Sequence, residues 1–138
     1  MQSHAGRKEL ITCLTGALAG YALPPRHAAP ARIKDLVGAV ACCARNNGEK
    51  VNAIWQDVTT LKATIRYDAV IMNPPFHTGK NEDVDLGRAF IAKAAQILKP
   101  GGRLFLVANC HLGYEVVVPG LTSLYESGGF KVLAKAMS

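Results

Sequence analysis

Two unbroken apolar runs mark the second half of the chain. They are Ala69-Val70-Ile71-Met72 and Leu104-Phe105-Leu106-Val107-Ala108. Runs without a polar face are typical of strands that are buried on both sides, as in a parallel sheet covered by helices. We therefore predict buried strands over 68–72 and 103–108.

The segment between these two runs has the periodicity of a helix. Its apolar residues recur every three or four positions, at Leu86, Phe90, Ala94, Ile97 and Leu98. Acidic residues precede it and Lys99 follows it, which matches the charge preferences of the two helix ends. Pro100-Gly101-Gly102 is predicted to stop this helix and to turn the chain into the next strand.

The remaining elements are shorter. We predict strands over 32–37 and 51–55, a helix over 38–47, and a terminal hairpin of strands 121–125 and 130–134 around Ser127-Gly128-Gly129. Alternating strands and helices indicate a doubly wound, mostly parallel α/β sheet with an antiparallel C-terminal hairpin. Residues 1–138 are predicted to form one domain, with an atypical segment 1–31 and a core 32–138. The pattern leaves open whether a regular first strand is present.

Composition narrows the class of protein. The 138 residues are 49% apolar and carry a formal net charge of +6. A diffuse positive charge permits a nucleic-acid partner, and the sequence has no apolar run long enough for a membrane span. The four cysteines, at 13, 42, 43 and 110, form no Cys-x-x-Cys pair, so we expect neither a metal site nor a disulfide framework. We expect the chain to be cytoplasmic.

Asn73-Pro74-Pro75-Phe76 is the strongest chemical signal, because it directly follows a predicted buried strand. The prolines fix two φ angles and hold Asn73 extended, so the loop offers rigid carbonyl and amide oxygens beside an aromatic ring. Two acceptors on the hydrogens of an exocyclic base amine would free its nitrogen lone pair, while Phe76 stacks on the base. The alternative is that the prolines form a simple turn and Phe76 is a core residue.

At these residues the chain resembles a known family. Residues 67–77 are similar to class I methyltransferases of the small-domain type that use S-adenosyl-L-methionine, above all those that methylate the N2 amine of guanine in small-subunit ribosomal RNA. Residues 98–104, 107–109, 111–112, 114–115 and 129–133 agree with the same family, whereas Cys110 and Gly113 depart from it. The resemblance implies a Rossmann-like methyltransferase sheet, an RNA partner and S-adenosyl-L-methionine as cofactor. Asn-Pro-Pro-aromatic also occurs in adenine-N6 and protein-glutamine methyltransferases, which stay open as alternatives.

The resemblance also implies roles for individual residues. Asn73 would bind the target amine through its side chain and also lie against the cofactor, Pro74 would bind the amine through its carbonyl, and Pro75 would hold the loop. Phe76 would stack on the base. Asp57 would contact the adenine of the cofactor, and Gly16 lies in the stretch that corresponds to the family's glycine-rich cofactor loop.

The first half of the chain departs from the family pattern. Residues 11–20 contain no Gly-x-Gly and no acidic residue, and Gly38 stands where the family has the acid that holds the ribose. A second hypothesis is therefore a degenerate methyltransferase-like domain that binds no cofactor and serves as an RNA-binding or dimerising module. A sheet edge left open by a missing first strand would favour pairing with a second copy.

Overall fold

A computed structural model describes residues 10–14, 41, 45–46, 56–64, 66–74, 77–78 and 81–138. Five strands form the main sheet: β1 (Leu10–Leu14), β2 (Tyr67–Asn73), β5 (Leu98–Asn109), β6 (Thr122–Ser127) and β7 (Phe130–Ala136). Two short strands, β3 (His77–Thr78) and β4 (Asn81–Glu82), pair separately with each other. One long helix, α1 (Val84–Gln96), connects β4 to β5.

The strand order of the main sheet is β1-β2-β5-β7-β6. Strands β1, β2 and β5 run parallel, whereas β7 pairs antiparallel with both β5 and β6. This confirms the predicted parallel sheet with an antiparallel C-terminal hairpin. The question left open by the sequence is answered as well, because β1 is a regular strand that lies directly beside β2.

Helix α1 forms where the periodicity placed it. The Asp83 side chain caps the helix by accepting a hydrogen bond from the Leu86 amide at 2.9 Å. Its buried residues follow the 3.6-residue period at Gly87, Phe90, Ile91 and Ala94. These residues pack on one face of the sheet in a core that includes buried residues of β2, β5 and β7, namely Val70, Met72, Leu104, Leu106 and Leu133.

Two details of this region differ from the prediction. Helix α1 ends at Gln96, and β5 already begins at Leu98, so Leu98 and Pro100-Gly101-Gly102 belong to the strand and not to the helix or its stop. The cause is pairing with β2, because the Tyr67 amide donates to the Ile97 carbonyl at 2.8 Å and Leu98 lies in register with Tyr67. Within this strand Gly101 has a φ of 75°, a left-handed conformation that glycine adopts more readily than other residues.

The predicted burial of both sheet faces was wrong for part of the sheet. Val70, Met72, Leu104 and Leu106 are buried against α1, but Ile71 and Val107, which point to the opposite face, are 42% and 38% exposed. On that face Arg103 stacks over the Phe105 ring, 5.8 Å from its centroid.

The C-terminal hairpin is slightly longer than predicted. Strands β6 and β7 meet at Gly128 and Gly129, whose φ angles of 58° and 82° permit the tight turn. The segment between β5 and β6, residues 110–121, is called the connector here. Leu112, Tyr114, Val118 and Leu121 of the connector are buried in the same core as α1.

The other predicted elements fall mainly outside the described residues. The strands at 32–37 and 51–55 lie wholly outside them, while Ala41, Arg45 and Asn46 are helical, as expected for a helix over 38–47. The division into an atypical 1–31 segment and a 32–138 core stays a prediction. No described helix is long and apolar enough to cross a membrane.

Candidate functional site

Asn73 is the last residue of β2 and lies at the carboxyl edge of the parallel strands. On one side it is in register with Leu14, the last residue of β1. On the other side β2 pairs with β5, where Met72 is in register with Leu106. Asn73 itself is half-buried. The fold therefore places this amide between two neighbouring strands at the edge where ligands bind in open α/β sheets.

The chain that leaves Asn73 is anchored at its first residue. Pro74 is fully buried, so its ring is part of the protein interior. The same ring fixes its φ angle. Pro75 and Phe76 lie outside the described residues, so the proposed stacking of Phe76 stays a prediction. The β3–β4 ladder follows, and it leads through Asp83 into α1.

The end of β5 forms the neighbouring part of this edge. Asn109, its last residue, is half-buried, and its carbonyl accepts a hydrogen bond from the Leu112 amide at 3.1 Å. The Cys110 amide donates to the Gly129 carbonyl at 2.9 Å, which ties the start of the connector to the hairpin turn. His111 is exposed.

Tyr114 is a functional candidate that the sequence reasoning missed. It is fully buried, and its hydroxyl has no hydrogen-bond partner within the described part of the chain. Burial raises the pKa of Tyr114 to about 12; the positive charge of Arg88 opposes this rise and the negative charge of Asp83 adds to it. The hydroxyl therefore stays protonated beside the first turns of α1.

The next residue, Glu115, forms an ion pair that the sequence reasoning also missed. Lys131 of β7 is 4% exposed, and its Nζ lies 2.6 Å from Oε1 of Glu115. Burial of Glu115 favours its neutral form, but the hydrogen bond and the charge of Lys131 outweigh this and hold the Glu115 pKa below its usual value. The sequence signal for this ion pair is the lysine at position 131, which stands among the apolar residues of β7.

Asp57, the proposed adenine contact, precedes a short 3₁₀ helix, Val58–Thr60. Its Oδ1 accepts hydrogen bonds from the Thr59 amide at 2.9 Å and the Thr59 hydroxyl at 2.7 Å. Its Oδ2 accepts none from the residues that the structure describes. One oxygen of Asp57 therefore caps the helix, and the other is available to a ligand. Val58 and Leu61 pack against the core and fix this segment.

Gly16, the other proposed cofactor contact, lies outside the described residues. Within the described ranges, no group of three or more His, Cys, Asp or Glu side chains could hold a metal ion.

Comparison with known proteins gives a consistent result. The family model described as "Methyltransferase small domain" matches residues 28–134. Two curated relatives are named "Ribosomal RNA small subunit methyltransferase C". The one from Hahella chejuensis is 39% identical over 93 residues, which cover 64% of this chain and 27% of the relative. The one from Pseudoalteromonas translucida is 32% identical over 120 residues, covering 83% and 35%.

A solved structure supports the same relationship. A 16S rRNA N2-guanine methyltransferase from T. thermophilus, in complex with AdoMet and guanosine, aligns with a TM-score of 0.62 and 33% identity. The alignment covers 74% of this chain and 29% of that one. The chain thus spans about a third of the length of the proteins it matches.

Proposed function

Because this chain belongs to the methyltransferase small domain family, we propose that it transfers a methyl group from S-adenosyl-L-methionine to the N2 amine of guanine in ribosomal RNA. The proposal rests on the position of Asn73 at the end of β2, which pairs with β1 on one side and with β5 on the other. Pro74, the next residue, is fully buried. Guanosine and AdoMet in the related T. thermophilus structure support the choice of acceptor and donor.

Asn73 and Pro74 would make the acceptor amine reactive. The lone pair of an exocyclic base amine is delocalised into the ring, so the amine is a weak nucleophile. The Asn73 side-chain oxygen and the Pro74 carbonyl would accept its two hydrogens and favour a pyramidal nitrogen. Oxygens held by a strand end and a buried proline need no reorganisation when the reaction occurs, which is how preorganised polar groups lower a barrier. Phe76 would hold the base by stacking.

Asp57 and Gly16 would hold the cofactor. Asp57 keeps Oδ2 available for the amine of the adenine, while Oδ1 is held by Thr59. Strand β1 ends at Leu14 in register with Asn73, and Gly16 follows two residues later in the sequence. A glycine there lets backbone approach a ligand closely. When bound, S-adenosyl-L-methionine would supply the methyl group from its sulfonium sulfur, which leaves as a neutral thioether, and the methylated amine would then lose one proton.

A methyl-transfer assay tests the proposal. The purified chain is mixed with labelled S-adenosyl-L-methionine and small-subunit ribosomal RNA, and the labelled nucleoside is identified after digestion. We expect N2-methylguanosine, and a loss of about 100-fold or more in kcat/KM for Asn73→Ala, the size expected when one preorganised polar contact is removed. Asn46→Ala, at an exposed helical position, is the matched control and should keep wild-type activity.

Other outcomes decide between the remaining functions. Label found on adenine in RNA or DNA, or on glutamine in a protein acceptor, would show that this group and not guanine is the substrate. No transfer together with no calorimetric binding of S-adenosyl-L-methionine would favour the degenerate, non-enzymatic module. Transfer that is unchanged by Asn73→Ala would refute the assigned acceptor site.

We further propose that the chain forms a homodimer in the cytoplasm. Strand β1 is present beside β2, so a missing first strand does not leave an open sheet edge there. The support is now β6, which has β7 as its one neighbour in the described sheet and exposes Leu124 and Tyr125 by 62% and 64%. The exposed free thiol of Cys110 suits a reducing compartment. Light scattering tests the assembly, and a strict monomer at high concentration would refute it.

A further inference from the structure

Lys131 places a positive charge in the protein interior. It lies on β7 in register with Ala108, which is buried in the core that β2, β5 and α1 share. Its side chain is 4% exposed, and Oε1 of Glu115, at 2.6 Å, is the acidic group that pairs with it among the described residues. A buried charge is costly unless it is paired, so the position of Lys131 depends on Glu115.

The pair lies at the carboxyl end of β5, the strand that neighbours β2. Ala108 directly precedes Asn109, where β5 ends and the connector begins. Glu115 belongs to the 3₁₀ helix Tyr114–Val116 within the connector. The ion pair therefore fastens the connector to the sheet close to the strand end that adjoins β2.

The residue beside Glu115 faces the other segment of the site. Tyr114 is fully buried, and the charges of Asp83 and Arg88 in the first turns of α1 act on its hydroxyl. The chain that leaves Asn73 enters α1 at Asp83. Tyr114 thus lies near the start of α1, while Glu115 is paired with Lys131 of β7.

We infer that Glu115 and Lys131 are positioning residues, which hold the end of β5 and the connector in the arrangement that the RNA acceptor requires. The inference rests on the proposed function. Because the pair holds the connector at the end of β5 and has no contact with Asp57 among the described residues, its effect should fall on the acceptor and not on the cofactor.

The test uses Lys131→Met and Glu115→Gln in the full chain. We expect the acceptor KM to rise about tenfold, or kcat to fall by up to about 100-fold, as displaced substrate-positioning groups do. The calorimetric Kd for S-adenosyl-L-methionine should change less than about twofold. Asp85→Asn is the matched control, because it breaks an exposed ion pair with Arg88 and should leave all these values unchanged.

Amide hydrogen exchange gives a readout that does not need activity. Local opening of the connector should speed exchange about tenfold at Leu112, Tyr114 and Val117, whose amides donate to carbonyls within the connector or at Asn109. Val70 and Leu104 in the core should keep their wild-type rates.

Three results would overturn the inference. One is wild-type kinetics and wild-type exchange in both variants. Another is faster exchange throughout the sheet with a weaker cofactor Kd, which indicates a structural role alone. The third is failure of both variants to fold. A wild type that transfers no methyl group refutes the proposed function, and the exchange pattern still decides whether the pair holds the connector.

Discussion

The unpartnered hydroxyl of Tyr114 allows a quantitative prediction about stability. Its ring fills core space with no exposure, but the hydroxyl has no hydrogen-bond partner in the described part of the structure. A buried polar group without a partner costs about 1–3 kcal/mol. Tyr114→Phe keeps the ring and removes the oxygen, so we expect the free energy of unfolding at pH 8 to rise by about 1 kcal/mol or more.

The difference between the two proteins should grow at alkaline pH. Burial raises the Tyr114 pKa from 10.0 to about 12, with Arg88 opposing and Asp83 adding to the rise. Above pH 10 the unfolded chain releases this proton while the folded chain keeps it, so the stability present below pH 10 is lost as pH rises towards 12. At 1.36 kcal/mol per unit, the loss from this tyrosine is about 1.4 kcal/mol at pH 11.

Urea unfolding of the wild type and Tyr114→Phe at pH 8 and pH 11 measures both effects. Other groups that titrate at alkaline pH are common to the two proteins, so the difference between them isolates Tyr114. We expect the advantage of the phenylalanine variant to be larger at pH 11. A variant that is less stable than wild type at pH 8, or an advantage that does not change with pH, would refute the reasoning, because the hydroxyl would then have a partner.

Two substitutions test the packing around the strands. Gly102→Ala would place a Cβ 2.8 Å from the Lys99 carbonyl oxygen, so we expect a loss of about 1–3 kcal/mol in urea unfolding; Gly113→Ala meets nothing within 4 Å, and an equal loss there would contradict the steric explanation. Leu104→Ala removes a fully buried side chain and should cost about 2–5 kcal/mol. Val107→Ala, on the exposed face, should cost less, and similar losses for both would show that the two faces are equally covered.

The main elements were predictable because their signals are local. Apolar runs located β2 and β5, the helical period and the Asp83 cap located α1, and paired glycines located the hairpin. The end of α1 was not predictable in this way. Ile97 and Leu98 continue the helical period, but the helix ends before them because Tyr67 pairs with this segment. Tyr67 is about 30 residues away, and a local pattern cannot include so distant a partner.

The candidate site was predictable in part for the same reason. Asn73 and Pro74 stand in a short motif, and the fold places them at the edge that the motif required. Tyr114, Glu115 and Lys131 stand in stretches that resemble the family, but the sequence assigned no role to them. Their importance comes from burial and from one contact between the connector and β7, so it becomes visible only when the register of the sheet is known.

The pairing of β1 with β2 has a consequence for the order of folding. Leu10 pairs with Ala69, whereas β5, β7 and β6 pair within a far shorter stretch of chain. Closing a long loop costs more chain entropy, so distant strands join late while local hairpins form early. During synthesis β1 leaves the ribosome first, yet it must wait for β2. We therefore expect the sheet edge beside Asn73 to be completed among the last steps, after the C-terminal hairpin has paired with β5.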